Sequence, residues 1–223
     1  MHHDIWDWDL PNHPMLVDVT TEQGKTPIVI QLGKTGMVYT FHRDTGEPYF
    51  EIKERPVPTD GILGDQLSPT QPFPVKPPPL VRQGITPDDA WGVTPYEREA
   101  CRKMIAESRY GGMFTPMSTK GTVMFPQVGG GSNWGGGAFD PERNILVVPV
   151  SQLPFYVRLI PADQVDKVKA RDPRAGNPMG PPGLIKGTDY GLEQTAVLSP
   201  LFTPCTAPPW SLMVAVDMIS GDI

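Results

Sequence analysis

The run His2-His3-Asp4-Ile5-Trp6-Asp7-Trp8-Asp9 gathers three carboxylates, two imidazoles and two indoles into one short stretch. If it is extended, Ile5, Asp7 and Asp9 share one face and Trp6 and Trp8 the other. A carboxylate walled by indoles is shielded from water, a setting that raises a carboxyl pKa and suits it to take a hydroxyl proton. Asp7 is thus a candidate base, although a turn aspartate capping backbone N–H groups accounts for the same residue types. Lys34, inside Gly33-Lys34-Thr35-Gly36, is either a solvated turn lysine or a cation placed against negative charge on a ligand. Asn133 and Trp134 follow glycines at 129, 130 and 131 and precede glycines at 135, 136 and 137. That run lacks the spacing of a dinucleotide or P-loop fingerprint, but it lets backbone approach a planar ligand closely. His2 and His3, adjacent on a strand, would point to opposite faces, which argues against a shared metal. One buried, hydrogen-bonded imidazole and one exposed imidazole are expected, and no metal ligand is assigned.

These residues need elements to hold them. β-branched residues at 27–32, a glycine-bearing turn and a second apolar run at 37–41 read as a hairpin. A third short strand is expected at 49–52. Residues 54–93 are proline-rich and read as a long loop, which is uncommon inside a domain unless it is functional or packed over a surface. One helix signal follows: Thr94 as N-cap, Pro95 as first residue, Glu97 closing a capping box, and Gly111-Gly112 as the stop. Further strands are expected at 121–125, 136–139 and 145–148, and a last one from Trp210 to Val216. Residues 161–195 read as loop, with one or two helical turns at 165–169. Short strands closed by turns carrying aspartate and glycine, near Asp44 and Asp217, suggest repeated antiparallel units.

Composition narrows the class. With 23 glycines and 28 prolines in 223 residues, a helical bundle is excluded. A hydrophobic fraction of 39% still supports a core. The net charge of −6 gives no reason to expect nucleic acid or an anionic membrane surface as partner. Cys101 and Cys205 are the only cysteines, and their spacing leaves free thiols or one disulfide open. The chain opens directly on the dense His2–Asp9 run and ends within an apparent hairpin. It is therefore expected to be one piece of a single domain, 1–223, cut at both ends and containing a loop-and-helix insert at about 54–112.

The ordered motifs at 2–11, 33–36, 67–73, 110–116, 133–136, 153–155 and 204–210 resemble the membrane-bound quinoprotein glucose dehydrogenases, which use pyrroloquinoline quinone (PQQ). The resemblance covers essentially the whole chain. It implies an all-β fold: about three blades of an eight-bladed propeller, with long Pro/Gly-rich loops and one short helix. It also implies oxidation of an aldose of the glucose type, with electrons passing to ubiquinone, or of another polyol such as quinate or shikimate. On the family pattern Asp7 is the proton acceptor, Lys34 faces the quinone oxygens, and Asn133 and Trp134 contact PQQ. Asp4 and Asp9 are supporting residues. Some relatives carry a further asparagine near the position of Pro149, a contact that is absent here or made by Asn133. A Ca²⁺ or Mg²⁺ ion is implied, held by residues mostly outside the chain. A periplasmic setting is implied too, on the outer face of the inner membrane, with any anchor upstream and with the chain by itself inactive. In that compartment a Cys101–Cys205 disulfide is plausible. A non-catalytic propeller acting as a binding module is the rival reading.

Overall fold

The structure, a computed structural model, describes residues 1–62, 64–171 and 182–223. The 27–41 hairpin is present and is extended by a strand that the sequence reading did not anticipate. β1 (Met15–Thr21), β2 (Gly24–Leu32) and β3 (Val38–His42) form an antiparallel meander. Ile28, Ile30 and Leu32 point inward with at most 1% exposure, the period-2 burial of a strand with one face on a core. The expected structureless loop at 54–93 holds a ribbon instead, β4 (Ile52–Pro56) paired with β5 (Thr70–Pro74). Pro56, Pro72 and Pro74 fit there because a two-stranded ribbon consists of edges, where a missing N–H need not break a ladder.

β6 (Thr122–Met124), β9 (Phe155–Pro161), β10 (Gly183–Leu184) and β11 (Tyr190–Ala196) make a four-stranded sheet in the order β10-β11-β9-β6. β9 was not anticipated, and β11 overturns part of the loop expected at 161–195. Within that stretch the helical turns are present as a short helix (Val165–Arg171), and 172–181 lie outside the described residues. β7 (Ala138–Asp140), β8 (Ile145–Ser151) and β12 (Ser211–Asp217) form the third large sheet, ordered β12-β8-β7. β7 starts later than expected because Gly136 has φ +63°, a turn conformation. The turns after β3 and β12 close alike: Gly46 N–H donates to His42 O, and Gly221 N–H to Asp217 O, each glycine at positive φ.

The meander and the β12-β8-β7 sheet bury one core. Val19, Ile28, Ile30 and Leu32 pack in it with Leu146, Val148, Val214 and Val216. Among the described residues, three larger antiparallel sheets with no closed barrel, a ribbon and few helices make an all-β architecture, in keeping with the partial propeller that the resemblance implies.

The long helix, α1 (Pro95–Glu107), starts as its capping box predicts, with Glu97 N–H donating to Thr94 Oγ1 at 3.3 Å. It ends before Gly111, because Ser108 turns extended and its hydroxyl donates back to Met104 O at 2.8 Å. Cys101 and Cys205 are bridged, closing a loop of sequence separation 104 and tying α1 to the segment before β12. A bridge over so long a loop typically contributes ~2–4 kcal/mol. Glu97 does a second job beside it. Its side chain is buried and accepts from Ser199 Oγ and Thr203 Oγ1, both at 2.7 Å, and from Thr94 N–H at 3.0 Å.

The hydroxyls of Thr203 and Ser199 hold the Glu97 carboxyl below its ordinary value of 4.5. A depressed pKa contributes stability above the ordinary value and loses it as pH falls through the lowered one. Glu97→Gln should therefore melt below wild type at pH 7, and the gap should close as pH falls below about 4.5. Thermal melts of both proteins across pH 3–7 read this directly; a gap that stays constant would show that the carboxylate charge contributes nothing.

Candidate active site

The segment 2–9 is held at both ends. Gln71, fully buried, exchanges hydrogen bonds with the His2 backbone: His2 N–H donates to its Oε1 at 2.8 Å and its Nε2 donates to His2 O at 2.6 Å. The His2 ring meets Glu54 Oε1 at 2.8 Å. Both histidines are exposed, which corrects the expectation that one imidazole is buried.

The segment is not a strand, because Asp7 has φ +66°. The alternation nevertheless survives. Trp6 and Trp8 are 1% exposed, stack at 5.5 Å, and each meets the Phe114 ring edge-on. Trp6 Nε1 donates to Thr115 O at 2.9 Å. Asp7 and Asp9 point the other way, and both reach Lys34: Nζ lies 2.9 Å from Asp7 Oδ2 and 2.6 Å from Asp9 Oδ1. The Lys34 side chain is 11% exposed, whereas that of Asp7 is 70% exposed. The shielding of Asp7 by indoles is thus corrected: the indoles bury themselves, and the carboxylate faces outward.

Burial pulls the Lys34 pKa down, but the hydrogen bonds and charges of Asp9 and Asp7 outweigh it and leave the value raised above 10.5. Lys34 is therefore an ammonium at any physiological pH. It has three N–H donors, and the two carboxylates occupy two of them. The third is a cationic donor beside an exposed carboxylate, a set that suits a ligand bearing both anionic oxygens and a hydroxyl.

The glycine run has a purpose that the sequence reading assigned to a ligand. Gly131 N–H donates to Lys34 O at 2.7 Å, and Lys34 N–H donates to Asp9 O at 3.3 Å. A Cβ on Gly130, which has φ +83°, would sit 2.5 Å from Lys34 Cα. The close approach is to the lysine. Asn133 turns inward: Nδ2 donates to Gly129 O at 2.7 Å and Oδ1 accepts from Trp134 N–H at 2.8 Å. It borders a cleft of about 340 Å³ shared with Gly129, Gly131, Pro149 and Ser151. Trp134 does not line that cleft and is 82% exposed. The structure thus brings Asp7, Asp9 and Lys34 together, joins Asn133 to them through the glycine backbone, and leaves Trp134 outside. Asp9 as a direct partner of Lys34 was visible only as its shared face with Asp7. Among the described residues no group of three or more His, Cys, Asp or Glu side chains is arranged to hold a metal ion.

Asp7 also borders a second cleft, of about 310 Å³, with Ile5, Met117, Leu159, Tyr190 and Leu192 among its walls. Its lining is mainly apolar, with Asp65, Thr188 and Gln194 as polar members beside Asp7.

Gly130→Ala should strain the φ +83° backbone and push on Lys34, lowering unfolding free energy by about 1–3 kcal/mol. Gly135→Ala, with nothing within 4 Å of its Cβ position, should stay within about 0.5 kcal/mol of wild type. Urea denaturation of both variants tests the assignment, and equal midpoints would refute it.

Residues 1–223 match the family model "PQQ: Glucose/ethanol/alcohol dehydrogenase, beta-propeller domain". The chain is 35% identical over 241 residues to the quinoprotein glucose dehydrogenase of Escherichia coli (strain K12), a match covering 100% of this chain and 28% of that protein. It is 36% identical over 224 residues to a probable quinate dehydrogenase (quinone) of Xanthomonas campestris pv. juglandis, with the same two shares. It is 33% identical over 234 residues to the glycerol dehydrogenase large subunit of Gluconobacter thailandicus, covering 99% of this chain and 31% of that one. The chain thus spans under a third of the length of these relatives, and it belongs to the PQQ-dependent dehydrogenase β-propeller family.

Proposed function

We propose that this chain supplies the base and the cofactor-facing cation of a PQQ-dependent dehydrogenase that oxidises an aldose hydroxyl of the glucose type. The observation that carries the reading is the Asp7–Lys34 contact at 2.9 Å, with Asp7 also bordering a cleft. When bound, PQQ supplies an ortho-quinone that accepts two electrons, together with carboxylates that call for cationic partners. Lys34 would hold it through its remaining N–H, and Asn133 and Trp134 are its further contacts in this proposal. A Ca²⁺ or Mg²⁺ ion would be held mostly by residues beyond this chain.

Lys34 grips Asp7 by Oδ2, which leaves Oδ1 to accept the proton of a substrate hydroxyl. The same ammonium is fixed where negative charge gathers during the reaction, so no reorganisation is needed at that moment. Ile5, Met117, Leu159 and Leu192 offer apolar walls beside Asp7, suited to the C–H face of a sugar ring. An ammonium-held carboxylate beside a cleft supports this reading over a pure binding module. Relatives named for glucose and for quinate match at 35% and 36% identity, so a quinate- or shikimate-type ring alcohol is the second reading. In this proposal the chain is one piece of a single propeller domain, in a periplasmic enzyme on the outer face of the inner membrane, with ubiquinone as electron acceptor. The Cys101–Cys205 bridge supports an oxidising compartment. Among the described residues no helix is long and apolar enough to cross a membrane.

In the full-length enzyme loaded with PQQ and a divalent cation, Asp7→Asn should lower turnover by about 10²–10⁴-fold with PQQ binding and melting temperature unchanged. Lys34→Ala should weaken PQQ retention, and excess PQQ should restore occupancy without restoring rate. Dye reduction with glucose, quinate and shikimate in parallel measures turnover and ranks the substrates. Wild-type turnover in Asp7→Asn would exclude it as the base.

A further inference from the structure

The Asp4 carboxylate spans the base. Its Oδ1 accepts Trp6 N–H at 2.9 Å and its Oδ2 accepts Trp8 N–H at 2.7 Å, so the two donors belong to the residues on either side of Asp7. Between them Asp7 adopts φ +66°, and His3, just before Asp4, has φ +42°. These are two of only four non-glycine residues at positive φ among the described residues. Such backbone is uncommon outside glycine and persists where its surroundings over-determine it. The indoles fix Trp6 and Trp8 from the core side, but side-chain stacking alone does not dictate the rotation of the peptide units between them. Both of those N–H groups converge on one charged acceptor, and charge-assisted bonds of this kind are the strong ones.

We infer that Asp4 is a positioning residue: by holding the 5–6 and 7–8 peptide units, which bracket Trp6 and Asp7, it keeps the left-handed turn that presents the Asp7 carboxylate to Lys34 and to the adjoining cleft. This rests on the reading of Asp7 as the base. Without Asp4 the segment is free to relax toward an extended backbone, which re-aims the Asp7 side chain while the indoles stay buried.

The test uses the full-length enzyme, apo and loaded. In the apo protein, hydrogen exchange of the Trp6 and Trp8 amides should quicken by about tenfold or more in Asp4→Ala, with Asp4→Asn, which keeps one acceptor oxygen, in between. In the loaded enzyme, Asp4→Ala should lower kcat by about 10²-fold with KM and PQQ occupancy little changed, and Asp4→Asn should recover part of it. Because Asp4 acts through Asp7, the double variant Asp4→Ala/Asp7→Asn should be no slower than Asp7→Asn alone. Additive losses, unchanged exchange, or full turnover in Asp4→Ala would each overturn the assignment of Asp4 alone. Wild-type turnover in Asp7→Asn would instead overturn the functional reading beneath it.

Discussion

Keeping one ammonium charged while it is nearly buried is the constraint that organises this molecule. Lys34 is 11% exposed, and a buried charge is costly unless it is paired and hydrogen-bonded. Two carboxylates meet its ammonium from a segment distant in sequence, while Gly131 N–H bonds the main-chain carbonyl of the same lysine. The partners themselves are wet: Asp7 and Asp9 side chains are 70% and 53% exposed. Attraction between exposed charges is worth little by itself. The pairing is better understood as removing a penalty that would otherwise forbid Lys34 its place in the β2–β3 turn. That requirement fixes where residues 2–9 run, and the close approach of Lys34 explains why residue 130 must be glycine.

The indole pair serves the same end from behind. Trp6 and Trp8 bury against Phe114, which anchors the segment at the two positions flanking Asp7. Large aromatic burial supplies the driving force, while the Gln71 exchange with His2 fixes the register of the chain start on β5. The α1 region is a separate support. Its disulfide and the Glu97 hydroxyl cluster clamp the helix to the 199–205 segment, stabilising a part of the molecule whose long loops leave few ladder bonds.

Much of this was legible in the residues. The capping box at Thr94–Glu97 names its own donors and acceptors, so α1 could be placed at its first turn. Its end could not, because Ser108 stops it through a side-chain bond that no glycine advertises. The i, i+2 spacing of Asp7 and Asp9 gave their shared face, but the left turn at Asp7 leaves no mark in residue types. β11 was hidden because Tyr190-Gly191-Leu192-Glu193-Gln194 mixes polar residues and a glycine into a strand that pairs along its whole length with β9. The glycines at 129–131 suggest room for a ligand, since composition tells that something approaches closely but not what. For the same reason residue types mark Asn133 as a ligand contact and do not show the turn bonds made at both ends of its amide.

The charge balance of the cluster assigns different work to its two carboxylates. One ammonium faces two of them, so one is balanced and one is surplus. Asp9 makes the shorter contact, 2.6 Å, and its carbonyl also accepts the Lys34 N–H. It is tied to the lysine by side chain and backbone together, and it moves only if the turn moves. Asp7 is held by one oxygen, at 2.9 Å, and borders the cleft. The geometry thus separates a counter-ion from a group with an oxygen to offer. Lys34 sits on the ladder-supported turn and Asp7 on the strained loop, so the fixed charge lies on the rigid element. The Asp7 oxygen that we propose accepts the proton lies on an element whose position is maintained by the bonds around it.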